Sequence, residues 1–296
     1  MKRNSIALLR GFVVLSLSSG LFAQITHAAD SVILPAATKD VAKGGASVVT
    51  TTSFLDKMTV SYLGILEGPA IDHWNGFQPD PNVGDGSQSS PADMVNLLSA
   101  RYKMTPDVSV GGTTKVTFDN LFISNKTVTL RDFFVSVKDN KLITAGAFGL
   151  SGDLRMGFPV AATAQANTLQ MYLSSKQKAS YAIPDSRFTL GLLAYGQFNF
   201  YQDALGQSDV SMFALPMVDF QITPTLSWGV GYEMDAKHTS GDRFFSINNA
   251  GTGLSTGPSW DITPAINFNP FLTFYPGNKL ATDTTTIGAY LSWTIL

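Results

Sequence analysis

Phe188-Thr189-Leu190-Gly191-Leu192-Leu193-Ala194-Tyr195-Gly196-Gln197-Phe198-Asn199-Phe200 is the stretch on which the fold turns. Phe188, Leu190, Leu192, Ala194, Phe198 and Phe200 share one phase, and Thr189, Tyr195, Gln197 and Asn199 share the other; Leu193 is the exception. A period of two belongs to an extended strand, whose successive side chains point to opposite faces. One face here is oily and the other is polar. The same pattern recurs upstream, where Val108, Val110, Val116 and Phe118 oppose Ser109, Thr113, Lys115, Thr117 and Asp119. It recurs downstream, where Leu226, Trp228, Val230, Tyr232 and Met234 oppose Ser227, Gly229, Gly231, Glu233 and Asp235.

Between such stretches stand three near-copies of one turn, Met104-Thr105-Pro106-Asp107, Ile222-Thr223-Pro224-Thr225 and Ile262-Thr263-Pro264-Ala265. Tight turns between alternating strands are the mark of consecutive hairpins. Strands are expected over 57–67, 93–104, 108–119, 128–137, 142–151, 167–182, 187–201, 209–222, 226–238, 253–262, 266–275 and 284–296. Most approach the roughly 9–11 residues that a tilted strand needs to cross a bilayer. The expected fold is all-β, a transmembrane antiparallel up-and-down β-barrel of about 12 strands, with the apolar phase toward lipid and the polar phase toward a lumen.

Pro216, Pro258 and Pro270 fall inside expected strands, where the missing N–H should bulge, shorten or shift the ladder. The fourth strand, with Asp132, Phe133 and Phe134 adjacent, alternates poorly.

The chain opens with Lys2, Arg3 and Arg10, an apolar run from Phe12 to Ala23 broken only by Ser and Gly, and then Thr26-His27-Ala28-Ala29. This is the layout of a secretory signal peptide, assigned to residues 1–28. A Gly-, Ala-, Ser- and Thr-rich leader over 29–56 separates it from the barrel, 57–296. Without the three basic residues of the signal, 17 Lys and Arg face 22 Asp and Glu, a net charge of −5 that disfavours nucleic acid. Charged residues make up only 14% of the chain, against about 25% in ordinary soluble domains, yet mean hydropathy is a modest +0.11. Half-apolar strands give that mixture.

Cysteine is absent, which excludes disulfides and thiol chemistry. His73 and His238 lie far apart with no metal-ligand spacing, and no glycine-rich phosphate loop is present, so no cofactor is expected.

Connections alternate in length. Those around Thr105-Pro106-Asp107, Asp139-Asn140-Lys141, Pro184-Asp185-Ser186, Thr223-Pro224-Thr225 and Thr263-Pro264-Ala265 are tight, as periplasmic turns are. The connections over 68–92, 156–166 and 239–252 are longer and read as external loops. Trp228, Trp260 and Trp293 all fall close to an expected periplasmic turn or to the C-terminus, where amphipathic rings prefer the membrane interface.

The signal, the Thr-Pro turns, the alternating strands and the terminal Ile287-Gly288-Ala289-Tyr290-Leu291-Ser292-Trp293-Thr294-Ile295-Leu296 together resemble the porin-like outer-membrane β-barrels of Gram-negative bacteria. Asp153-Leu154-Arg155 and Ile183-Pro184-Asp185-Ser186-Arg187-Phe188 look closest to an uncharacterised group from predatory proteobacteria. The resemblance implies a bacterial outer-membrane location, contact with outer-membrane lipids and with the barrel-assembly machinery, and leaves homo-oligomerisation open. Barrels of this kind usually end on an aromatic residue in phase with the apolar face. Here Leu296 is out of phase with Ile287, Ala289, Leu291, Trp293 and Ile295.

The expected function is that of a porin-like passive channel for small polar solutes or ions, not an enzyme. Twelve strands enclose an interior between a filled eight-stranded barrel and an open sixteen-stranded porin, so inward side chains would control any pathway. Arg101, Lys103, Lys115, Asp119, Lys176, Lys178, Glu233 and Asp235 occupy the polar phase and are the expected pore lining; their mixed signs favour neither ion sign. One alternative is a structural or surface-interaction barrel with no open pore. Another is a lipid hydrolase: His238-Thr239-Ser240 resembles the His-x-Ser of outer-membrane phospholipase A, with His238 as base and Ser240 as nucleophile on the lipid face. In that reading Asn248 or Asn249 would orient the histidine.

Overall fold

A computed structural model of the chain describes residues 54–72, 77–79, 88–122, 126–161, 168–242, 252–275 and 280–296. The expected signal (1–28) and the expected leader (29–56) up to residue 53, together with His73, Asn248 and Asn249, lie outside the described residues. Among the described residues a single 3₁₀ turn, Leu55–Lys57, precedes fourteen strands. These are β1 (Met58–Ala70), β2 (Phe77–Pro79), β3 (Gln88–Pro91), β4 (Asp93–Lys103), β5 (Val108–Asp119), β6 (Thr127–Ala145) and β7 (Phe148–Pro159). The rest are β8 (Leu169–Ala182), β9 (Phe188–Tyr201), β10 (Ser208–Thr223), β11 (Leu226–Thr239), β12 (Thr252–Thr263), β13 (Ile266–Phe274) and β14 (Thr285–Thr294).

Twelve of them pair antiparallel in sequence order and close into a barrel, while β2 and β3 form a separate two-stranded ribbon. Closure is made by β1, which pairs on one side with β4 and on the other with β14, from Ser61 opposite Thr294 to Ala70 opposite Thr286. Full closure removes every exposed sheet edge of the barrel.

The Thr-Pro turns work through the threonine. Thr105 Oγ1 accepts the N–H of Asp107 (3.3 Å) and of Val108 (3.0 Å). Thr263 Oγ1 does the same for Ala265 (3.2 Å) and Ile266 (3.1 Å). Proline fixes the first corner while the hydroxyl satisfies the N–H groups that the turn turns out of the ladder.

One expected turn is in the wrong place. Asp139-Asn140-Lys141 does not end a strand: β6 runs for 19 residues, with a register shift between Asp139 and Ile143, and reverses at Gly146, whose φ is +58°. Asp139-Asn140-Lys141 has turn chemistry, but a bulge satisfies it, and the hairpin of β6 and β7 therefore extends beyond β5, while β8 accompanies β7 to its end.

The prolines are accommodated without ending their strands. Pro258 and Pro270 fall in a gap of the β12–β13 ladder, between the pairs Thr256–Leu272 and Trp260–Phe268. There Asn269 Nδ2 donates to the Pro258 carbonyl at 2.7 Å. Pro216 lies in a similar gap between β10 and β11.

The outward face is a continuous exposed apolar band that includes Leu190, Leu192, Phe198, Val218, Val230, Met234, Leu254 and Leu291. Outward Asn96 is satisfied within the barrel wall: it accepts from the Tyr62 hydroxyl at 2.7 Å and donates to the Met94 carbonyl at 3.2 Å. Among the described residues no helix is long and apolar enough to cross a membrane, a test that does not bear on strands.

Candidate functional site

The inward face holds the candidate site, and it falls into three levels. At its centre is an apolar layer. Ile65 (β1), Val95 and Leu97 (β4), Phe134 (β6), Leu193 (β9), Leu215 and Met217 (β10) and Tyr290 (β14) form one buried cluster, with Leu63, Phe213 and Phe271 packed against it. Strands β9 and β10 stand across the barrel from β1 and β4 in the sheet order, so the cluster bridges opposite walls. Ile65 is 0% exposed. An inward isoleucine in an open aqueous lumen would meet water, so the lumen is occluded at this level.

Glycines let the layer close. Phe271 lies over Gly288, where a Cβ would come within 2.3 Å of its ring, and stacks on Tyr290 at 4.7 Å. Leu215 covers Gly231 and Met217 covers Gly191 in the same manner. Beside the layer is a small recess lined in part by Gly231, Glu233, Ser255, Gly257 and Asn269.

The lumen half nearer the tight turns is predominantly basic. Arg101 (β4) reaches across β5 and β6 to β7, where its Nη2 lies 3.3 Å from Asp153 Oδ2; the same oxygen accepts from Arg155 Nε at 3.0 Å. Arg101 can lie flat because its neighbour in register is Gly111, where a Cβ would sit 2.6 Å from the arginine Cγ. The Arg155 guanidinium stacks 4.8 Å above the Phe134 ring. Lys138 faces Arg101, Asp153 and Arg155, and Lys178 faces Lys138, Lys176 and Asp219. Five basic side chains against two acidic ones leave a formal excess of three positive charges.

On the loop side of the layer the sign reverses. Glu233 and Asp235 (β11) face each other and Glu67 (β1), with Lys237 nearby. Ser255 Oγ donates to Glu233 Oε1 at 3.0 Å.

Of the pore-lining residues expected from sequence, Arg101, Lys176 and Lys178 meet in the basic half, and Glu233 and Asp235 in the acidic one. Lys115 stands between Leu97 and Asp132 in register. Lys103 is exposed at the turn end. Asp119 is tied at the loop-end rim to Arg131 Nη2 (2.5 Å) and Thr129 Oγ1 (2.5 Å). The signs that look mixed along the chain are thus segregated in space. Lys138, Asp153, Arg155, Asp219 and Glu67 were not among the expected lining. Asp153-Leu154-Arg155 has a signal that could have found two of them, since residues two apart on a strand share a face.

Trp228, Trp260 and Trp293 project outward, half exposed, within a few residues of the turn end. The Trp228 indole N–H donates to Thr256 Oγ1 at 2.8 Å. His238 Nδ1 lies 2.6 Å from Asp209 Oδ1, so a carboxylate orients this ring. Ser240 is held by its backbone, through bonds to Gln207 and Gly206, and its hydroxyl is not bonded to His238. The expected nucleophile and base are therefore not joined. Among the described residues no group of three or more His, Asp or Glu could hold a metal ion.

Comparison with protein-family models and with curated proteins finds no match. Among solved structures, the chain is similar to the COG4313 outer membrane channel from Pseudomonas putida F1, with a TM-score of 0.52 and 11% identity over 81% of this chain and 96% of that one. It is also similar to the KdgM porin, with a TM-score of 0.45 and 8% identity over 80% of this chain and 99% of that one. At such identities the likeness is one of fold: this chain is a closed porin-like barrel of the kind found in outer-membrane channels.

Proposed function

We propose that this protein is an outer-membrane channel for small polar solutes or ions, closed in the described conformation by its central apolar layer. The observation that carries this reading is inward charge that the barrel does not neutralise. Lys138 and Lys178 face the lumen, and neither makes a hydrogen bond or an ion pair within 4 Å among the described residues. Unpaired ammonium groups cost a filled barrel stability and give it nothing in return, whereas they suit a pathway that handles polar cargo. The exposed apolar band and the outward tryptophans at one rim support an outer-membrane location with the tight turns on the periplasmic side. Similarity of fold to an outer membrane channel supports the same reading.

The apolar layer favours a second reading, a structural barrel that never conducts. Ester hydrolysis is not proposed, because the Ser240 hydroxyl and His238 are not hydrogen-bonded. Swelling of proteoliposomes in small sugars and in salts separates the two readings. The channel reading expects slow, solute-size-dependent swelling; vesicles as tight as protein-free controls in every solute would leave the structural barrel.

A further inference from the structure

We propose that the basic half of the lumen is a binding site for an oxyanion, a solute carrying a carboxylate or phosphate group, formed by Arg101, Lys138, Arg155 and Lys178 with the hydroxyls of Ser136 and Ser174. The strand register builds it. Arg101, Gly111, Ser136, Arg155 and Ser174 lie in one row across β4, β5, β6, β7 and β8. The row presents a guanidinium at two of five positions and only a hydrogen or a hydroxymethyl group at the other three. The arginines therefore lie along the wall rather than filling the lumen. Lys138 stands one step toward the turns, opposite Asp153, and Lys178 lies beyond β7 on β8.

Donors exceed acceptors in this region. Asp153 Oδ2 is shared by both arginines. Arg101 Nη1 and the hydroxyls of Ser136 and Ser174, the two serines being 4% and 2% exposed, are buried without a hydrogen-bond partner, as are two acceptors, Asp153 Oδ1 and Asp219 Oδ1. Buried donors left unpaired are costly and uncommon, and three of them with two unpaired ammonium groups outnumber the two unpartnered carboxylate oxygens, which marks a place where a further acceptor belongs. Water could serve one or two of them. An excess of three positive charges calls for an anion, and guanidinium and ammonium donors converging from four strands suit the oxygens of a carboxylate or phosphate. Binding does not require the apolar layer to open, so this inference stands whether or not the barrel conducts.

The test is urea unfolding of the full mature chain refolded in neutral detergent, titrated with inorganic phosphate or succinate at constant ionic strength set with chloride. A ligand that binds only the folded barrel raises the midpoint saturably. At least one of the two anions should do so, and which of them acts tells a phosphate from a carboxylate site. Lys138→Gln with Lys178→Gln should weaken the effect about tenfold or more, because two charge-assisted donors are lost. That variant should fold, since neither ammonium makes an ion pair. Glu233→Gln, beyond the apolar layer, should respond like the parent. No saturable response to either anion, or an equal response in the double variant, would overturn the proposal.

Discussion

Leu192 and Leu193 are neighbours on β9 with opposite surroundings, and replacing each by alanine tests which face of the strand guards the lumen. Leu193 is 5% exposed within the apolar layer, whereas Leu192 is 42% exposed on the outward band. On folding into a bilayer both leave water for an apolar place, so each truncation loses a transfer contribution of about 2 kcal/mol for three carbon groups. Leu193→Ala also leaves a cavity against Leu215 and its neighbours, which brings the loss to about 3–4 kcal/mol within the usual range for buried leucine. Leu192→Ala leaves none, because lipid closes over it. Reversible denaturant unfolding in vesicles should thus place Leu193→Ala about 1–2 kcal/mol below Leu192→Ala. Ion flux should rise only for Leu193→Ala, and more so when Leu215→Ala is added. Equal stability losses, or greater flux from Leu192→Ala, would refute the assignment of faces and with it the apolar layer.

Gly257 and Gly149 make a second pair. A Cβ at Gly257 would lie 2.1 Å from the Pro270 carbonyl oxygen, a backbone atom that cannot swing aside, so Gly257→Ala should cost about 3 kcal/mol and lower the refolding yield. At Gly149 the nearest atom is 3.4 Å away, and alanine there should be neutral or stabilising by up to about 1 kcal/mol in the same unfolding assay. Val230→Arg places a charge on the outward band and should cost about 2–4 kcal/mol in vesicles if that band meets the bilayer midplane; a negligible cost would argue against membrane insertion. Asp153→Ala removes the carboxylate shared by Arg101 and Arg155 and should cost about 3 kcal/mol, the low end for a broken buried pair because Arg101 keeps some exposure.

The outward face was legible in the sequence because lipid tolerates little but apolar residues at alternate positions, so Phe188, Leu190 and Leu192 write a period of two. The inward face imposes no such period. A lumen wall accepts Ser227, Glu233 or Leu215 equally well, and Ile65, Val95, Leu97 and Met217 consequently look like irregularities of pattern. Leu193, the one break in the most regular strand, is a member of the apolar layer. Lys138 was hidden for a local reason: Asp139-Asn140-Lys141 carries turn residues, and only the pairing of β6 with β7 shows that the strand continues. Segregation of charge was hidden for a long-range one. Arg101 and Arg155 are far apart in sequence, and their meeting at Asp153 depends on strand direction, on register and on the missing side chain at Gly111.

Single-channel recording on the refolded wild-type chain in planar bilayers tests the central claim most directly. A channel closed by one apolar layer, with charged vestibules on both sides, should show rare openings of small unitary conductance, becoming frequent or permanent in the Leu193→Ala, Leu215→Ala double variant. Silence from both proteins, with insertion of each verified, would contradict the channel and leave a barrel that only spans the membrane.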